Sequence, residues 1–187
     1  MNTTLTPVDP ATATGAPKEL LDQVQKALGV TPNMTKVMAN SPALLRGYLA
    51  LSGALATGAL KAPVREQLAI ATAEANGCAY CLSAHTYVGG AVAKLPESEL
   101  EAAREATSTD PHTAALLRLS DEILRSRGSV SADAIPTARA AGVTDAEIGE
   151  IVGHIALNVL TNYFNVMADV ENDWPVVTPR STRRIAA

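Results

Sequence analysis

The chain has 187 residues, of which 47% are apolar but only 3% aromatic, and a formal net charge of −4. That length suits one domain able to bury a core without help from disulfides. The acidic balance argues against a nucleic-acid surface, which needs Lys and Arg to neutralise phosphates, and four Tyr, one Phe and one Trp leave little to stack on bases.

Ala and Leu dominate, and both are strong helix formers. The opening residues have neither a basic n-region nor an apolar h-region, so they do not read as a secretory signal. No stretch approaches the ~18 uninterrupted apolar residues of a membrane helix. The expected setting is cytoplasmic, with no membrane and no nucleic acid as partner, and cytosolic thiols stay reduced.

Residues 1–15, rich in Thr, Pro and Ala, read as a flexible lead-in. The single helical domain is expected over residues 16–177, followed by a flexible basic tail over 178–187. Pro17 opens a helix with Leu20, Leu21, Val24 and Leu28 on one face, and Gly29 closes it. Thr31-Pro32 begins a short segment ending at Asn40. Ser41-Pro42 is an N-cap followed by proline at the first helical position.

Pro63 opens the next helix, which Asn76-Gly77 interrupts. A further helix follows from Cys78, weakened by Gly89-Gly90. Pro96 begins a short, charged helix. Asp110-Pro111 caps the next, which Gly128 ends. Ser131 caps a segment whose interior Pro136 disturbs. Thr144 and Glu147, spaced as a capping box, start the last long helix, with Ile148, Ile151, Val152, Ile155, Val159 and Leu160 at helical spacing. Trp174-Pro175 reads as the end of that helix and an anchor for the tail. No strand alternation is visible. The fold class is therefore all-α, with about eight helices.

Cys78, Cys81 and His85 stand at i, i+3 and i+7, which places them on one helical stripe. The break at Asn76-Gly77 puts both cysteines in the first turn of a new helix. Free N–H groups and the positive end of the helix dipole lie there and favour thiolate over thiol. His85, one turn below Cys81, can relay a proton near neutral pH. If the helices flanking Gly77 fold back antiparallel, Glu66 arrives near the level of His85 and can orient its ring. The chemistry requires the thiols not to be sealed in the interior.

The segment R-E-Q followed by C-A-Y-C-L-S-A-H, with Glu66 twelve residues before Cys78, resembles the core motif of the AhpD-like branch of the carboxymuconolactone decarboxylase superfamily. The C-terminal N-Y-F-N-V-M-A-D-V-E-N-D-W-P resembles the end of its peroxidase-related members. The likeness spans residues 40–175. It implies an AhpD-like helical bundle assembling into a homo-oligomer, a trimer or hexamer, with no cofactor. It also implies a small peroxide as substrate and a dithiol protein or small thiol as electron donor. Carried over by position, Cys81 matches the attacking cysteine, Cys78 the resolving one, and Glu66 and His85 the proton relay. Tyr80 falls where the best-known peroxidase members carry histidine, so it is a supporting residue able to donate a hydrogen bond.

Other readings stay open. Cys78, Cys81, His85 and Glu66 form a conceivable zinc set, although no second cysteine pair exists to complete a usual site. Two inert cysteines, a decarboxylase that needs no dithiol, and a non-catalytic redox-sensing oligomer are the remaining alternatives. Glu74 and His112 read as solvated. His154, Asn158, Asn162 and Asn165 place polar groups in an apolar helix and must find partners on a neighbouring helix or subunit.

Overall fold

The computed structural model describes residues 4–180. Among these residues the chain forms helices only, nine rather than about eight: α1 (Gly15–Leu28), α2 (Asn33–Met38), α3 (Pro42–Leu55), α4 (Ala62–Asn76), α5 (Ala79–Ala91), α6 (Glu97–Arg104), α7 (Pro111–Ser126), α8 (Ala134–Ala140) and α9 (Asp145–Ala168).

Local signals set most boundaries. The Ser41 hydroxyl accepts from Leu44 N, Asp110 from Thr113 N, and Thr144 and Glu147 complete a reciprocal capping box. Each such cap satisfies amides that the helix itself leaves unpaired, a contribution of about 1 kcal/mol. Pro136 is tolerated because α8 begins at Ala134, so the ring sits in a first turn where no amide donor is required. Gly89 does not break α5. A Cβ there would come within 2.8 Å of Leu100 Cδ2, so the missing side chain lets α6 pack against α5.

The hydrophobic core has two lobes. One gathers Leu21, Met38, Leu45, Ile70 and Leu82 with both cysteines; the other gathers Leu60, Leu68, Leu116, Leu117 and Ile151. Helix α4 joins them, with Ile70 facing one lobe and Leu68 the other, and α9 packs along it. Burying each large aliphatic side chain contributes about 1.5–3 kcal/mol.

Near the ends of the described residues, hydrogen bonds join the chain to the helices. Thr4 N donates to Ala168 O at 2.8 Å and Val8 N to Lys36 O at 3.0 Å. After α9, residues 170–180 run as a strap across α5 and α6. Val177 N donates to Ser83 Oγ (2.9 Å), and Arg104 Nη2 to Thr178 O (2.9 Å). Arg104 also pairs through Nε with the buried Glu74 carboxylate at 2.8 Å, so Glu74 is not a solvated side chain. Trp174 lies beyond the end of α9 and stacks on Tyr87, with ring centroids 5.5 Å apart. The remaining basic residues of the tail, 181–187, and residues 1–3 lie outside the described residues. No described helix is long and apolar enough to cross a membrane.

Candidate active site

The site grows from the turn between α4 and α5. Gly77 takes a left-handed conformation (φ 67°, ψ 27°), which glycine adopts without a Cβ clash, and ends α4. The chain then reverses, and Cys78 becomes the N-cap of α5, its Sγ accepting from Cys81 N at 3.2 Å. The two cysteines are therefore held side by side at a helix start, and both are free thiols.

The antiparallel α4–α5 hairpin brings Glu66 to His85, with His85 Nδ1 2.8 Å from Glu66 Oε2. Burial works against a charged imidazole. The Glu66 carboxylate opposes this by charge and hydrogen bond, the Cys81 thiolate adds to it, and the net effect raises the His85 pKa. Burial likewise opposes the Cys81 thiolate. Hydrogen bonds from Cys78 and Asn165, followed by the positive charge of His85, overcome it and bring Cys81 down to about 7. Cys78 moves the other way: it shares its proton with the Cys81 sulfur, is buried, and faces the thiolate charge. The two sulfurs are thus shifted in opposite directions, Cys81 toward thiolate and Cys78 toward thiol.

Helix α9 supplies what the sequence motif does not show. Asn165 Nδ2 lies 3.2 Å from Cys81 Sγ and 3.2 Å from Met34 Sδ. Asn162 is fully buried, accepts from Asn76 Nδ2 at 2.9 Å, and also favours the Cys81 thiolate, although its own amide nitrogen makes no full hydrogen bond. The clue available in the sequence is the row of amides on an otherwise apolar helix. Asn162 and Asn165 find partners on neighbouring helices of the same chain, for Asn165 the Cys81 sulfur, whereas Asn158 Nδ2 donates to His154 O within α9.

Tyr80 stands apart from the dithiol. Its hydroxyl donates to Asp173 Oδ2 (2.6 Å) and accepts from Met34 N (3.3 Å), which engages it with the C-terminal strap and α2. Burial, then the bond to Asp173, pushes its pKa up. Tyr48 on α3 lines the same cavity as Glu66 and His85. Burial and the neighbouring charges of Cys81 and Glu66 push Tyr48 up to about 12, so it stays a donor at neutral pH. A lone tyrosine among Ala and Leu gives no sequence signal of this role.

Both thiols are buried, with Cys78 1% and Cys81 3% exposed. This departs from the accessible thiols that the sequence reading required. A cavity of about 190 Å³ is lined in part by Tyr48, Glu66, His85, His154 and Asn158, and by neither cysteine. His85 and Glu66 reach its surface with 31% and 18% of their side chains exposed. Among the described residues, no three His, Cys, Asp or Glu side chains converge as metal ligands, and His85 Nδ1 is already engaged by Glu66. His112, read as solvated, pairs with Glu147 at 2.9 Å, far from this site in sequence and on a different helix.

Comparison with known proteins agrees with this layout. The carboxymuconolactone decarboxylase family matches residues 42–122, a span holding Tyr48, Glu66, Cys78, Cys81 and His85 but not α9. No curated protein sequence matches the chain. A peroxidase-related protein from Ralstonia eutropha JMP134 with an alkylhydroperoxidase AhpD core superposes with a TM-score of 0.82 at 23% identity, covering 91% of this chain and 92% of its own. A peroxidase-related protein from Silicibacter sp. TM1040 gives 0.76 at 21% identity, covering 90% and 91%. The debrominase Bmp8, in a cysteine-to-alanine variant bound to 2,3,4-tribromopyrrole, gives 0.76 at 20% identity, covering 92% and 93%. At these identities the superpositions show a shared fold. Residues 42–122, which hold Glu66, Cys78, Cys81 and His85, are thus similar to the carboxymuconolactone decarboxylase family, and the chain shares the fold of AhpD-like proteins.

Proposed function

We propose that the protein is a thiol-dependent peroxidase that cycles Cys78 and Cys81 between dithiol and disulfide. The observation that carries this reading is geometric: two free thiols three residues apart are held at a helix start, with Asn165 Nδ2 3.2 Å from Cys81 Sγ and the Glu66–His85 pair on the same hairpin.

The Cys81 thiolate attacks the terminal oxygen of a hydroperoxide, the O–O bond breaks, and the alkoxide leaves as alcohol with a proton from the His85 imidazolium, which Glu66 orients. The Cys81 sulfenic acid then condenses with the Cys78 thiol, releasing water and forming a disulfide. A dithiol donor reduces the disulfide by exchange and is itself oxidised. Hydrogen peroxide and organic hydroperoxides both satisfy this balance. A cytoplasmic setting and a homo-oligomer belong to the same proposal.

A second reading is reductive debromination, favoured by the Bmp8 superposition and by a cavity larger than peroxide requires. The same dithiol would supply two electrons to a C–Br bond, with one of its protons replacing bromine on the carbon, bromide and the other proton released, and the disulfide formed. A decarboxylase has no use for the dithiol, and a pure redox sensor has none for a cavity beside it.

Thiol titration with one equivalent of peroxide, with dithiol reductant added afterwards, tests the first reading. Two thiols should disappear and return. Cys81→Ser should abolish turnover, while Cys78→Ser should reduce one equivalent and stop at a sulfenic acid. Full steady-state activity in Cys81→Ser would rule the scheme out. Bromide release from a bromopyrrole without peroxide consumption would favour the second reading.

A further inference from the structure

The cavity beside the dithiol carries more than a peroxide needs. Hydrogen peroxide fills the space of about two water molecules, roughly 60 Å³, whereas the cavity measures about 190 Å³. Part of the remaining wall is apolar, formed by Ala56, Ala69 and Leu157. Two polar groups of the wall are not fully engaged, those of Arg65 and His154. Among the described residues Arg65 makes no ion pair; its Nη1 donates to Leu60 O at 2.7 Å, leaving other guanidinium hydrogens for a ligand. His154 is 5% exposed, and its Nε2 is buried without a hydrogen-bond partner, an arrangement folded proteins generally avoid.

We propose that this wall, with Arg65 and His154 as its polar groups, is a binding subsite for a carboxylate, and that the substrate is a short organic hydroperoxide carrying that carboxylate. The inference rests on the peroxidase reading for the hydroperoxide half and on the cavity alone for the carboxylate half.

Glu66 in the same cavity is paired with His85, and Glu150 accepts from Ala59 N and Leu60 N, whereas Arg65 makes no ion pair among the described residues. His154 is held neutral, chiefly by burial and then by Arg65 beside it, so it offers one N–H and no second charge. A planar carboxylate suits the guanidinium fork, and the imidazole N–H can take a remaining lone pair. A dianion would face Glu66 without enough positive charge to balance it. With its carboxylate at Arg65, a short aliphatic chain along Ala69 and Leu157 would carry the hydroperoxide toward Tyr48 and His85.

Calorimetric titration of the reduced protein with hexanoate and with hexanamide isolates the carboxylate half. A charge-assisted pair at this site should make hexanoate bind about tenfold tighter or more. Arg65→Gln should remove the difference, and Arg65→Lys, which keeps the charge without the fork, should retain part of it. Equal binding of acid and amide, or an undiminished difference in a folded Arg65→Gln protein, would overturn the proposal. Circular dichroism establishes folding, and Arg65→Lys stands in if the glutamine variant does not fold. In turnover, a short hydroperoxy carboxylate should be favoured over its methyl ester in kcat/KM. Carboxylate-selective binding without peroxide consumption would retain the subsite and sink the peroxidase reading. Peroxide consumption with acid and ester used alike would do the reverse.

Discussion

Replacing Asn165 with alanine tests how the nucleophile is tuned. The amide Nδ2 sits 3.2 Å from Cys81 Sγ, and no water-filled space replaces it because Asn165 is only 3% exposed. A hydrogen bond to an ionised acceptor contributes about 1.5–3 kcal/mol. Met34 Sδ competes for the same nitrogen at 3.2 Å, so the lower end of that range applies. Dividing about 1.5 kcal/mol by the 1.36 kcal/mol of one pKa unit gives a rise of about one unit. Cys81 should move from about 7 to about one unit higher. At neutral pH its thiolate fraction would then fall from about a half to about a tenth. The first deprotonation step of the pair, followed by thiolate ultraviolet absorbance, reports this directly, because Cys78 titrates far higher. Peroxide-dependent thiol loss at neutral pH should slow about fivefold in parallel if it tracks the thiolate fraction. Asn165→Asp should raise the step further, because a carboxylate would repel the thiolate. An unchanged midpoint in both variants would refute the idea that α9 holds Cys81 ionised.

Glu66→Gln should lower the His85 pKa, since it removes the opposite charge and hydrogen bond that hold the imidazolium; imidazole proton resonances followed against pH measure it. The His112–Glu147 contact should give a small stabilisation with a definite sign. Glu147 raises the His112 pKa, so the stabilisation is complete below the unfolded value near ~6.5 and fades as pH rises through the folded value. His112 is 37% exposed, which limits the effect to under ~1 kcal/mol. Thermal melts of the wild type and His112→Gln should therefore converge on the alkaline side of neutrality. Gly58→Ala should destabilise the fold by about 1–2 kcal/mol, because the new Cβ would fall inside the Glu150 carboxylate and displace it from Ala59 N and Leu60 N. Urea denaturation measures the loss.

Much of the architecture was legible because helix ends are local events. Ser41-Pro42, Asp110-Pro111 and Thr144 with Glu147 mark starts within four residues of chain, and the structure uses all three. The meeting of Glu66 with His85 also followed from one local assumption, a tight reversal at Gly77. What the sequence could not convey were contacts between distant segments. Asn165 reaches Cys81 across 84 positions, and Tyr80 reaches Asp173 across 93. Thr4 N hydrogen-bonds to Ala168 O, a contact that composition near the start of the chain does not signal. Tyr48 and Arg65 gave no warning, because a single tyrosine or arginine on a helix is ordinary until the neighbouring helix is in place. The depth of the sulfurs was likewise hidden: the spacing that aligns a reactive pair on one stripe is silent about what covers that stripe.

The position of Cys78 has a mechanical consequence. An atom that caps a helix must touch the backbone three residues ahead, and that is also the position of the sulfur it would join. Closing the bond would therefore exchange one local tether for another at a point already drawn together. Such a centre could change its oxidation level many times while transmitting little strain to the rest of the bundle, which favours repeated turnover over signalling by change of shape.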